Sequence, residues 1–121
     1  MTTEATVHVV DDDEAIRDSL AILLGAAGFS VATYPSAEAF LITAPQGPGC
    51  LVIDVRMPGM GGLELQEELI RRGRRIPVIV VTAKELTPAE RARLSGQIES
   101  LLQKGEFMDD NLLDDIVQAL T

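Results

Sequence analysis

An α/β fold built on a parallel, doubly wound sheet is what this sequence predicts, and three observations carry the prediction. Short aliphatic runs alternate along the chain with segments of helical periodicity. The runs lack the polar alternation of a one-sided sheet, so they read as strands covered on both faces. Two of them end in acids: Val7-His8-Val9-Val10 runs into Asp11-Asp12-Asp13, and Cys50-Leu51-Val52-Ile53 into Asp54.

The elements follow in order. Val7 to Val10 is the first strand. Helical spacing follows at Ile16, Leu20, Leu23, Leu24 and Ala27, with Gly28 as the C-cap. Phe29 to Tyr34 is the second strand, with Phe29, Val31 and Thr33 on one face. Ser36 caps a short helix whose face is Ala37, Phe40, Leu41 and Ala44, stopped by Pro45. Cys50 to Asp54 is the third strand, and Leu63, Leu65, Leu69 and Ile70 mark the helix after it, ended by Gly73.

Pro77 opens the strongest strand, Val78 to Val81, which leads to Thr82. Thr87-Pro88-Ala89-Glu90 has the form of a capping box with proline at the first helical position. The apolar side of that helix is thin, mainly Ala89, Ala92 and Leu94, so weak docking is expected. Ile98 to Gln103 is the fifth strand, and Leu113, Ile116, Val117 and Leu120 line a last helix. Crossover helices make the strands parallel, giving a (βα)5 chain with flavodoxin-like strand order 2-1-3-4-5.

The 121 residues fit one domain, taken as 1–121, and 46% hydrophobic residues with only 3% aromatics favour a Val/Ile/Leu core. No apolar run approaches the ~20 residues of a membrane span, and no charged-then-apolar leader opens the chain, so a cytoplasmic protein is expected. The single cysteine, Cys50, reads as a small core residue. A net charge of -9 argues against direct nucleic-acid binding. The one basic cluster, Arg71-Arg72-Gly73-Arg74-Arg75, reads as a solvated helix C-terminus rather than a partner patch.

In the 2-1-3-4-5 order, strands one and three flank the switch point, where open α/β folds bind ligands. Asp11, Asp12, Asp54, Thr82 and Lys104 should therefore converge at one edge. Three gathered carboxylates repel one another and call for a hard divalent cation, and oxygen-only ligation suits Mg2+. A carboxylate beside Mg2+, with a hydroxyl and an ammonium close by, is equipped to become an aspartyl phosphate. Asp13 or Glu14 reads as a cap at the start of the first helix, and Asp13 as a spare acid of the run rather than a ligand. His8 reads as a packed histidine, and Met57, Met60 and Met108 as loop packing. Gly59, Gly61 and Gly62 match no phosphate-binding loop and read as a tight turn beside the site.

Val9-Val10-Asp11-Asp12-Asp13, Asp54-Val55-Arg56-Met57-Pro58-Gly59-Met60-Gly61-Gly62, Val81-Thr82-Ala83 and Lys104 together resemble the receiver domains of two-component response regulators. The resemblance covers essentially the whole chain. Up to about Val80 it is to the nitrogen-fixation type of regulator, as in Tyr34-Pro35-Ser36-Ala37-Glu38-Ala39-Phe40-Leu41, and beyond that to receivers of hybrid sensor kinases.

It implies Asp54 as phosphoacceptor, Asp12 as a direct Mg2+ ligand, Asp11 as a ligand largely through water, and the Arg56 backbone carbonyl as a further ligand. Thr82 and Lys104 would contact the phosphoryl group. The donor would be a histidine kinase or a histidine phosphotransfer protein, with autophosphorylation from small donors and slow self-dephosphorylation also implied. The output would be a downstream protein bound through the face of the fourth helix, fifth strand and last helix, or a phosphorylation-dependent homodimer.

Two positions depart from the family pattern: Gly105 follows Lys104 where most receivers have proline, and Leu101 stands where many have Tyr or Phe. Switching is then expected to rest on Thr82, the 83–87 loop and the fourth helix. Arg56 and Lys84, each two positions after a site residue, point to a long-lived phosphoryl group. Two other classes compete. A receiver-like interaction module that is not phosphorylated would take up no phosphoryl group from acetyl phosphate. A phosphohydrolase with an aspartyl nucleophile would turn over phosphomonoesters, but its usual second acid is replaced here by Arg56.

Overall fold

The computed structural model describes residues 5–43, 47–54, 57, 59–74, 76–82, 87–89, 92, 100–103 and 116–118. Its elements are β1 (Thr6–Val10), α1 (Glu14–Ala26), β2 (Ser30–Tyr34), α2 (Ala37–Thr43), β3 (Gly49–Asp54), α3 (Gly62–Arg71), β4 (Val78–Thr82) and β5 (Ser100–Gln103). The five strands form one sheet in the order β2-β1-β3-β4-β5, every pair parallel, as the alternation predicts.

Local chemistry sets the helix ends. Asp13 is the N-cap of α1: its Oδ1 accepts the N–H groups of Ala15 at 2.9 Å and Ile16 at 3.3 Å. Ser36 Oγ accepts the Ala39 N–H at 3.0 Å and so caps α2. Both α1 and α3 stop at a glycine of positive φ, Gly28 at 96° and Gly73 at 74°, a conformation a Cβ disfavours. The next N–H in each case reaches back to the helix, Phe29 to Leu24 O at 3.1 Å and Arg74 to Leu69 O at 2.9 Å, which closes the last turn.

Alternate residues of each strand serve two cores. Val7 and Val9 join Leu20, Leu24, Cys50, Val52, Ile79 and Ile116 on the α1 side. Val10, Leu51, Ile53 and Val80 join Tyr34, Phe40, Leu63, Leu65 and Leu69 on the α2/α3 side. Cys50 is a buried free thiol, and burial pushes its pKa up to about 12, so it stays protonated. Met57 lies in the α2/α3 core and Met60 packs against it.

Several sequence-derived positions are corrected. Ile70 is 53% exposed: it is the penultimate residue of α3, on the same stripe as the buried Gln66 but one turn further on, at the end of the helix. Ala27 is exposed because it is the C-cap of α1 rather than part of its packed face. Thr33 is exposed, although Phe29 and Val31 do pack against the α1-side core. Pro88, Ala89 and Ala92 are helical, but both alanines are exposed. Ile116 is fully buried, whereas Val117 is 49% exposed. Ala44, Pro45, Lys84, Glu90, Leu94, Ile98, Gly105, Met108, Leu113 and Leu120 lie outside the described residues. Among the described residues no helix is long and apolar enough to cross a membrane.

Candidate functional site

Register brings the acids to one edge. Val10 pairs with Ile53, so Asp11 leaves β1 level with Asp54 at the end of β3, and Asp54 in turn pairs with Val81. Thr82 is one step further along β4 and pairs with Gln103, the last residue of β5. Arg56 and Lys104 lie outside the described residues. Of the expected set, the structure gathers Asp11, Asp12 and Asp54: one carboxylate oxygen from each lies within 4.8 Å of the other two.

Asp11 is 3% exposed and Asp54 5%, while Asp12 is open to solvent. The β1 ladder carries on into Asp11, whose N–H donates to Tyr34 O at 3.2 Å. The Asp11 side chain accepts the Asp13 N–H at Oδ1, 2.9 Å away, and Arg17 Nη1 donates to the Asp11 carbonyl at 2.7 Å. Asp13 turns its own carboxylate onto the start of α1, which leaves Asp11 and Asp12 as the acids of that run that face Asp54.

On the other side, α3 begins hard against the strand end. A Cβ on Gly62 would lie 2.5 Å from the Asp54 carbonyl oxygen, so only glycine lets the helix start there. Glu64 Oε1 accepts the Gly61 N–H at 3.1 Å, and Glu38 Oε2, from α2, accepts the Met60 N–H at 3.1 Å. None of Arg17, Glu38, Glu64 or the closeness of Gly62 was evident from spacing. The nearest sequence signal is the Gly61-x-x-Glu64 step at a helix start.

His8 lies one face away from the acids, buried against Tyr34 and Phe40 with ring centroids 5.8 and 5.6 Å distant. Tyr34 Oη is 3.0 Å from His8 Nδ1, a hydrogen bond whose direction follows the imidazole tautomer. Burial holds the His8 pKa below 6.5, and the positive charge of Arg74 adds to this. Burial likewise raises the Tyr34 hydroxyl above its usual 10.0. The packed reading of His8 is what the structure shows.

The basic cluster is at least partly a helix end. Glu68 Oε2 is 2.6 Å from Arg71 Nη2 and 2.7 Å from Arg72 Nε, and these cations lower the Glu68 pKa.

The donor set fits Mg2+. Ligands about 2.1 Å from a shared ion stand at most about 4.2 Å apart, so oxygens within 4.8 Å need only a small closure. All the donors are carboxylate oxygens, the type that Mg2+ prefers over softer metals.

Residues 7–117 match the family model described as response regulator receiver domain. The transcriptional regulatory protein FixJ of Bradyrhizobium diazoefficiens is 39% identical over 99% of this chain and 58% of its own. The solved structure of the response regulator StyR superposes with TM-score 0.87 at 42% identity, covering 96% of this chain and 59% of that one. The response regulator TrrA of Thermotoga maritima, solved with Mg2+ and BeF, superposes with TM-score 0.77 at 25% identity over 97% of this chain and 99% of that one. The chain spans about half the length of the curated relatives it matches. Sheet order, strand-end acids and these likenesses agree: the chain belongs to the response regulator receiver domains, the phosphoacceptor modules of two-component signalling.

Proposed function

We propose that Asp54 is the residue phosphorylated, within a single receiver domain spanning 1–121, and that a histidine kinase or phosphotransfer protein is the donor. The observation that carries this is the meeting of Asp11, Asp12 and Asp54 at the edge between β1 and β3. In the transfer the N–P bond of a phosphohistidine breaks and a bond from an Asp54 carboxylate oxygen to phosphorus forms. The imidazole leaves and takes up a proton. Asp11, Asp12, Asp54 and the backbone carbonyl of Arg56 would hold Mg2+, which when bound offsets the charge that the phosphoryl oxygens bring to three carboxylates. Thr82 donates a hydrogen bond to one phosphoryl oxygen, and Lys104 supplies the second positive charge.

The same chemistry lets small donors such as acetyl phosphate phosphorylate Asp54, and water slowly reverses it. Output is a population shift in the face of the fourth helix, β5 and the last helix, read by a downstream protein or by a second copy of the chain. A phosphohistidine donor places the work in the cytoplasm.

Acetyl phosphate with Mg2+, followed by intact-mass spectrometry, tests the assignment. Wild type gains one phosphoryl group, and Asp54→Asn or removal of Mg2+ with a chelator abolishes the gain. An Asp54→Asn protein that is still phosphorylated at wild-type level would overturn it, as would a wild type that takes up neither Mg2+ nor phosphate.

A further inference from the structure

We propose that Glu38, on the surface of α2, is a positioning residue that anchors the turn after Asp54 and so sets Mg2+ affinity from outside the acidic pocket. The proposal rests on the reading of Asp54 given above. Glu38 Oε2 accepts the Met60 N–H at 3.1 Å. The residue before, Gly59, has φ 76°, and a Cβ there would lie 2.8 Å from the same oxygen. The hand of the turn favours glycine here, and a Cβ would also push the Glu38 carboxylate aside.

The next N–H, that of Gly61, is taken by Glu64 Oε1 at 3.1 Å. Carboxylates from two different helices therefore hold consecutive backbone groups at the far end of the turn. Its near end is Asp54 on the buried strand β3, and Met57 is packed into the core between them. Arg56, whose carbonyl is the expected protein ligand besides the acids, falls between these anchors in the sequence.

Although Glu38 is exposed, its backbone is not loose. Ala37 and Phe40 on either side of it are buried, and Ser36 caps the helix. A ligand held by a well-anchored outer shell binds metal more tightly than one whose support is removed, typically by 10–100-fold. The mechanism needs an acceptor at this position, not a charge.

The experiment compares wild type, Glu38→Ala and Glu38→Gln by Mg2+ calorimetry, by amide exchange of Met60 in metal-free protein, and by thermal unfolding. Glu38→Ala should weaken Mg2+ binding roughly tenfold and speed exchange at Met60, with an unfolding midpoint close to wild type. Glu38→Gln, which keeps a carbonyl acceptor, should recover most of both. Wild-type exchange at Met60 in Glu38→Ala would overturn the proposal, as would unchanged Mg2+ affinity. A Glu38→Gln protein as weak as Glu38→Ala would also overturn it, by showing that charge and not the hydrogen bond matters. A wild type that binds no Mg2+ would instead sink the reading of Asp54, while metal-free exchange at Met60 would still report on the anchor.

Discussion

The two faces of the sheet are packed with different materials. Against α1 the fully buried part of the described core is aliphatic apart from the Cys50 thiol, with one ring, that of the half-buried Phe29, packed against it. Against α2 and α3 it includes a triangle of rings, His8, Tyr34 and Phe40, with Tyr34 and Phe40 edge to face at 5.1 Å. Gln66 is buried on that side too, and the helices there send Glu38 and Glu64 to the turn beside Asp54. The first face holds by close packing, and the titratable side chain in its described core, Cys50, stays protonated. The second carries hydrogen bonds and a proton site, and reaches the functional edge through backbone contacts. Stability and adjustability are thus divided between the faces.

The largest effect should come from the aliphatic face. Leu24 is fully buried in that cluster, and Leu24→Ala is expected to cost about 2–5 kcal/mol of unfolding free energy. Urea unfolding at pH 7 measures it, and calorimetry on the folded protein should find Mg2+ affinity near wild type. A cost under about 1 kcal/mol would show that this face is loosely packed, and the contrast would be lost.

A smaller effect separates capping from ligation where α1 meets the acids. Asp13 accepts two N–H groups at the start of α1, so Asp13→Ala should cost about 1 kcal/mol. Mg2+ affinity should survive that change and fall steeply in Asp12→Ala. Equal losses of Mg2+ affinity in the two variants would make Asp13 a ligand as well.

Much of this was legible in the sequence because the signals were local. A carboxylate closing an apolar run is costly unless something meets it, and that marked Asp11 and Asp54 before any register was known. Alternation of element types gave the parallel sheet, and the Gly28 and Gly73 stops are where the backbone turns left-handed. The contacts that escaped are those between distant segments. Glu38 and Met60 are 22 residues apart, and an exposed glutamate on a short helix carries no mark of its partner. The His8–Tyr34 bond depends on register, since His8 pairs laterally with Ala32 rather than with Tyr34. Ile70 shares a stripe with the buried Gln66, and its exposure follows from its place in the last turn of α3, which an apolar count does not register.

The smallest effect, and the one that would sharpen the contrast between faces, is a pH dependence confined to the ring triangle. Buried among Tyr34, Phe40 and the sheet, with the Arg74 charge adding to the effect, His8 is held below 6.5 in the folded chain. The unfolded chain therefore takes up the proton first as pH falls. Stability from this site is fully present above pH 6.5 and declines as pH drops from there towards the folded value. Ordinary carboxylates titrate near about 4, so the upper part of this window is largely free of them. Urea midpoints measured between pH 7.5 and 5.5 should fall in wild type and stay flatter in His8→Gln, whose amide does not titrate. Leu24→Ala should fall in parallel with wild type, displaced to lower stability at every pH. A His8→Gln slope equal to that of wild type would mean that the proton is taken up elsewhere, and the α2/α3 face would then be as indifferent to pH as the aliphatic one.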